Sequence, residues 1–209
     1  MISKRTLAVT AAAVAAPLTL AGPAFAAGIK FTAPVSGTTY LAKPDVTAAL
    51  PAGTYTYGEI NGDTITSNMV VPVTTSRVRL LDIPQYGDAT ATVKIVDTRP
   101  AVTKLKLDGS ADGTAYFKIQ ILAVYADALP GVNLVSPTCA SGEIVAPTHS
   151  NKFELLAAST VTSTFTIPAF TGCGQKELGQ FDSRDQLITD KLSGPGNTMN
   201  AVVGPAVLG

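Results

Sequence analysis

The sequence predicts an all-β fold, an antiparallel sandwich or barrel-like globule with one short C-terminal helix. Three observations lead there. From Ile29 to Ile167 apolar and polar residues alternate with period two in one run after another, as strands with one wet and one dry face require. The runs return every ~8 to 15 residues with Pro and Gly between them, a spacing typical of sandwiches and barrels. Finally, Pro34, Pro44, Pro51, Pro72, Pro84, Pro100, Pro130, Pro137, Pro147 and Pro168 fall mostly at run ends, where no ladder N–H is lost.

In chain order, Tyr55 and Tyr57 share one face of a strand from Thr54 to Ile60. Asn61-Gly62 then signals a type I′ hairpin with Ile65 to Val71 as the return strand. Val78 and Leu80 alternate with Arg77 and Arg79, and Ala91, Val93 and Ile95 with Thr92 and Lys94. Leu105 and Leu107 alternate with Lys104 and Lys106. The longest run, Thr114 to Tyr125, places Phe117, Ile119, Ile121 and Ala123 on one side. Its other side changes from polar (Lys118, Gln120) to apolar (Leu122, Val124), which predicts a second half covered on both faces. From Thr160 to Ile167, Val161, Phe165 and Ile167 point one way and Thr160, Thr162, Thr164 and Thr166 the other, a pattern suited to a pleated surface.

One helix is expected inside Phe181 to Leu192. Asp182 is a good N-cap, Asp185 favours the helix dipole, and Leu187, Ile188 and Leu192 keep helical spacing. Gly194 is suited to a left-handed stop, and Pro195 forbids continuation. A last strand is expected through Met199 to Val203. No internal repeat is present, so one domain over 27–209 is expected, with Pro100 as the point where two halves would divide.

The first residues have the three parts of a secretory signal: Lys4 and Arg5, an apolar stretch from Leu7 to Leu20, and the A-x-A site Ala24-Phe25-Ala26. The stretch is short and alanine-rich for a membrane span, and Pro17, Gly22 and Pro23 interrupt it. Cleavage after Ala26 is expected, with no lipidation cysteine following it and no sorting motif in the tail. The expected location is therefore secreted, extracellular or cell surface. Removing Lys4 and Arg5 leaves 13 of 15 basic residues against 15 acidic ones, a net charge near −2. Such a balance argues against nucleic acid and against an electrostatic grip on anionic lipid.

Cys139 and Cys173 are the only cysteines. In an exported chain two cysteines read as one disulfide; a two-thiolate metal site, for which no histidine lies close in sequence, and free thiols are the alternatives.

Groups able to carry chemistry are sparse. His149 is the only histidine, in the turn-like stretch Ala146 to Asn151, and no G-x-S-x-G elbow exists for it to serve. Asp108-Gly109-Ser110-Ala111-Asp112-Gly113 has an oxygen-ligand rhythm, which makes Asp108 and Asp112 weak metal candidates. The twelfth position is Ile119 rather than an EF-hand glutamate, and a hairpin connection explains the same residues. After the leader the glutamates are Glu59, Glu143, Glu154 and Glu177, and there is no Trp for sugar stacking; Tyr55 and Tyr57 would form a small platform or pack across strands. The threonine row would resemble an ice-ordering array only if several such strands were stacked. No cofactor motif occurs.

Ile167-Pro168-Ala169-Phe170-Thr171-Gly172-Cys173-Gly174 is followed by Ser193-Gly194-Pro195-Gly196-Asn197-Thr198. This pairing of I-P-x-F-x-x-C-G with S-G-P-G-N-T resembles uncharacterised secreted proteins of actinobacteria over about residues 100 to 203. In those proteins an upstream cysteine, here Cys139, sits where a disulfide partner would. The resemblance implies family and export, with no activity attached. The expectation for function is a non-catalytic binding or structural module of the envelope or medium, whose partner is an apolar ligand or envelope component. A secreted hydrolase with an unrecognised site is the alternative.

Overall fold

The computed structural model describes residues 28–79, 88–174 and 182–209. The leader, Leu80, Pro84, Glu177 and Phe181 lie outside these residues, as do the side-chain readings of Val78, Arg79 and the Asp182 cap.

The described strands, in chain order, are β1 (Ile29–Leu41), β2 (Val46–Ala49), β3 (Tyr55–Asn61), β4 (Thr64–Val70), β5 (Thr74–Arg79), β6 (Asp88–Leu105), β7 (Ala111–Ala126), β8 (Ala140–Ser141), β9 (Ile144–Ser150), β10 (Ser159–Ile167), β11 (Phe170–Thr171), β12 (Gly194–Val203) and β13 (Val207–Leu208). The helix α1 spans Asp182–Leu192, inside the expected range. Eight strands form a ring, β6–β7–β9–β10–β12–β1–β3–β4, and β4 pairs back onto β6. Each pairing is antiparallel. Of the two architectures the alternation allows, this is the barrel. The remaining strands are additions: β2 and β13 pair with β1, β5 with β6, β8 with β7, and β11 with β8.

β6 and β7 outrun the ring. Near Leu105 and Ala111 they belong to the barrel wall; their far ends, where Ala89 faces Ala126, carry β5 and the β8–β11 pair. Against this extension lie Ile121, Val135, Ile144, Ile167 and Phe170, and Ile188 and Leu192 of α1 pack on the same cluster. Cys139 and Cys173 form a disulfide inside it, both fully buried. A second cluster, Phe31, Ala33 and Ile65 with Leu105, Phe153 and Val203, fills the other end of the barrel.

Several sequence expectations shift by small, explicable amounts. Asn61 pairs with Thr64, so the hairpin loop is Gly62-Asp63, with positive φ (61°) at Gly62 and not at Asp63. That is the II′ pattern rather than I′, with glycine at the first loop position. β6 stops at Leu105, and Leu107 stands fully exposed in the turn. Pro100 lies inside β6, at a register irregularity between Arg99 and Val102. Most consequentially, Ala146 to Ser150 is strand, not turn. Ile144, Ala146 and Ser150 are buried while Val145 and Pro147 are exposed, a period-two pattern hidden by the small polar residues. Pro147 is tolerated because the β9–β10 ladder consists of Thr148 and His149 and stops before it.

Candidate functional site

Cross-strand register identifies the inward face of the ring. One continuous row reads Ile65–Thr103–Gly113–Thr148–Ser163–Met199–Thr39, and the next Ser67–Ala101 and Ala115–Ala146. These inward residues are mostly Gly, Ala, Ser and Thr. An eight-stranded barrel has an interior that side chains can just fill, or that can hold one small ligand. Here small side chains leave a cavity of 140 Å³, lined by Phe31, Ile65, Phe117, Met69 and Met199 among others. An edge-on pair of rings, Phe117 and Phe165 with centroids 5.8 Å apart, stands toward the extension end. Gly113 is closely hemmed in: a Cβ there would lie 2.4 Å from Thr103 Oγ1 and 2.8 Å from Thr148 Oγ1, so a larger residue would force its neighbours to shift.

The wall is incomplete between β4 and β6. Their ladder runs only from Thr64–Lys104 to Ser67–Ala101, and beyond it β6 is irregular at Arg99 and turns to pair with β5. Asp97 bridges the gap, its Oδ2 accepting the Met69 N–H at 2.6 Å in place of a missing ladder carbonyl. Partial burial pushes its carboxyl above the ordinary carboxylate value, only partly offset by that N–H. Asp97 lines the cavity together with Asn68 and Arg99. Arg99 is engaged elsewhere. Its guanidinium lies 3.6 Å from the Tyr116 ring centroid and donates to Glu143 at 2.9 Å. Glu143 also accepts from Thr98 at 2.6 Å, the largest cause of its lowered pKa. On the opposite wall Ser163 Oγ is buried without a hydrogen-bond partner among the described residues.

The residues singled out from sequence lie elsewhere. His149 projects from the outer face of β9, its Nδ1 2.6 Å from Asp112 Oδ1 and its Nε2 3.0 Å from Asn151 Oδ1. Asp112 also pairs with Lys106. The carboxylate holds the imidazole pKa above its ordinary value, with Asn151 as the second cause; Lys106 and then His149 hold the Asp112 carboxyl low. Both ring nitrogens are thus occupied, and neither meets a hydroxyl nucleophile. Asp108 serves its own turn, accepting from Ser110 N at 2.9 Å and Ser110 Oγ at 2.7 Å. The two aspartates therefore have separate hydrogen-bond partners, although the Lys106 charge acts on both. Among the described residues no group of three His, Cys, Asp or Glu side chains could hold a metal ion.

Glu59 accepts from Asn61, and Glu154 pairs with Lys152, both at the surface. Tyr55 and Tyr57 point outward, their rings 6.2 Å apart and both exposed, opposite Pro34 and Thr32. The threonine face of β10 continues across β12 and β1 as Thr162–Asn200–Thr38 and Thr164–Thr198–Tyr40, a mixed polar surface rather than a uniform threonine lattice.

Asp97 and the lumen are what sequence reasoning missed. A signal existed: inward positions of the alternation occupied by Ala101, Thr103, Ala111, Gly113 and Ala115 are too small to fill a barrel. No protein-family model, curated protein or solved structure matches this chain.

Proposed function

We propose that this chain is an exported, non-catalytic binding module whose barrel lumen takes a small, largely apolar ligand. The observation that carries the reading is the closed barrel with small inward side chains around a 140 Å³ cavity. An apolar cavity of about 150 Å³ in another protein stays dry and binds benzene, which sets the scale of the occupant. Protein interiors are close-packed with few voids, so a space left open by Ala, Gly and Ser supports a ligand site. The disulfide is compatible with life outside the cytoplasm, and the leader sequence supports export.

Native mass spectrometry of the protein from its producer's culture medium should find a co-purifying small apolar molecule, released on unfolding. A broad hydrolase screen provides the opposing outcome. Activity abolished by His149→Ala, or by alanine at Glu59, Glu143, Glu154 or Glu177 without unfolding, would replace the binding reading with a secreted hydrolase.

A further inference from the structure

We propose that the seam between β4 and β6 is the entrance to the lumen, and that Asp97 on its rim holds the cationic head of a small alkylammonium ligand whose apolar tail occupies the cavity. The inference rests on the lumen reading above and adds the chemistry of its occupant.

The seam is where the wall has no ladder. Past Ser67 and Ala101 the two strands part, and among the described residues the hydrogen bond from Met69 N–H to Asp97 links them there. Residues of both sides of the wall line the cavity there. Asp97 is paired with the inward Phe117, whereas Asn68 shares an outward row with Tyr57 and Arg99 reaches solvent. On this proposal the cavity meets the outside at this place, where the ladder is missing.

Charge decides which head group fits. Two groups of opposite sign flank the opening, but they are not equally available. The Arg99 guanidinium is stacked on Tyr116 and its charge is already paired with Glu143, so an incoming carboxylate would compete with Glu143 for it. The Asp97 carboxylate accepts one backbone N–H and borders the cavity, and among the described residues it forms no salt bridge. A half-buried carboxylate so placed is costly to keep charged, and an ammonium bonded to it removes that cost while adding a charge-assisted hydrogen bond. The tail is bounded by volume: a cavity near that of a benzene site admits about six heavy atoms. Phe31, Ile65, Phe117 and Met199 supply the apolar surface for it.

The chain reports on its own lumen. Of its three methionines, Met69 lies on the rim and Met199 deeper in the cavity wall, so two methyl signals monitor the site. The full chain is titrated with n-pentylammonium, 1-pentanol and pentanoate, which share a five-carbon tail and differ in head charge. The expected result is that n-pentylammonium shifts both methyls and binds about tenfold more tightly than 1-pentanol, with pentanoate weakest. Asp97→Asn keeps an oxygen to accept the Met69 N–H and removes the charge; the ammonium should then bind no better than the alcohol. Should that variant fail to fold, the three-probe comparison on the unaltered chain tests the same point. Equal binding of ammonium and alcohol, tighter binding of pentanoate, or an unchanged preference in Asp97→Asn overturns the head-group assignment and leaves the lumen reading standing. If none of the three probes moves either methyl, the lumen reading itself falls.

Discussion

The His149 imidazole shows what a single residue contributes here. Its pairing with Asp112 and Asn151 raises its pKa in the folded protein above the ordinary 6.5. The pair therefore stabilises the fold fully below 6.5, and that contribution is lost as pH rises through the higher folded value. Asp112 acts at the other end: its carboxyl is held below 3.8, so its contribution is present above 3.8 and is lost as pH falls through the folded value. Both side chains are exposed, so the effect on stability is small. The titration itself is easy to see, because the chain has one histidine. Its NMR midpoint should lie above 6.5, and Asp112→Asn should lower it; a parent midpoint at or below 6.5 would contradict the geometry. His149 could be listed from sequence as a candidate, but its strand position and its partner 37 residues away could not. Asp97 is the converse case, an ordinary-looking aspartate that acquires its place only when β4 and β6 fail to pair.

At the scale of elements, β1 is the strand that bends the wall. It pairs with β3 up to Pro34 and with β12 from Val35 onward, so Pro34 falls where one ladder hands over to the next. Three residues on, Gly37 has φ +140°, and a Cβ there would meet Asn200 O at 2.2 Å and Ala201 Cα at 2.7 Å. Gly37→Ala should cost about 1 to 3 kcal/mol from backbone strain alone, more with the clash. Gly62→Ala has positive φ but nothing within 4 Å, and should cost about 1 kcal/mol. Urea unfolding of the two variants checks the order, and a reversed order would refute the account of β1. The disulfide is the other element-level device. It joins the loop before β8 to the segment after β11, beneath α1, and closes a span of 34 residues. Replacing both cysteines by alanine should lower stability by about 3 to 4 kcal/mol on the chain-entropy view, measured by urea midpoint.

For the whole molecule, closure of the sheet creates both the stability and the void. The barrel ends are filled by the Phe31–Ile65 cluster and by the larger cluster around Phe165 and Ile144, leaving the middle to small residues. A side chain added from the wall should fill that space. Ala115→Leu should cost less than the roughly 1 to 3 kcal/mol of overpacking a filled core, since the volume is available, yet abolish binding of a benzene-sized probe read at the Met199 methyl. Binding that survives the substitution would place the site elsewhere. Export is tested on the same material: N-terminal sequencing of secreted protein should begin at Ala27, and a start at Met1 would contradict the leader reading.

The sequence by itself determined that this chain is built of antiparallel strands with one C-terminal helix, and it favoured a pairing of its two cysteines that the fold then made, because period-two alternation, turn residues and cysteine number are local or countable properties. Thr160 to Ile167 and Asp182 to Leu192 were legible for that reason. Only the tertiary structure decided that the sheet closes, that β9 is a strand and that Asp97 edges a lumen. Closure depends on which strands meet, chiefly β4 with β6 across more than thirty intervening residues, and no periodicity within a strand encodes its neighbour. A cavity is likewise a property of facing rows: each small residue is unremarkable alone, and the space appears only when eight strands bring their small faces together.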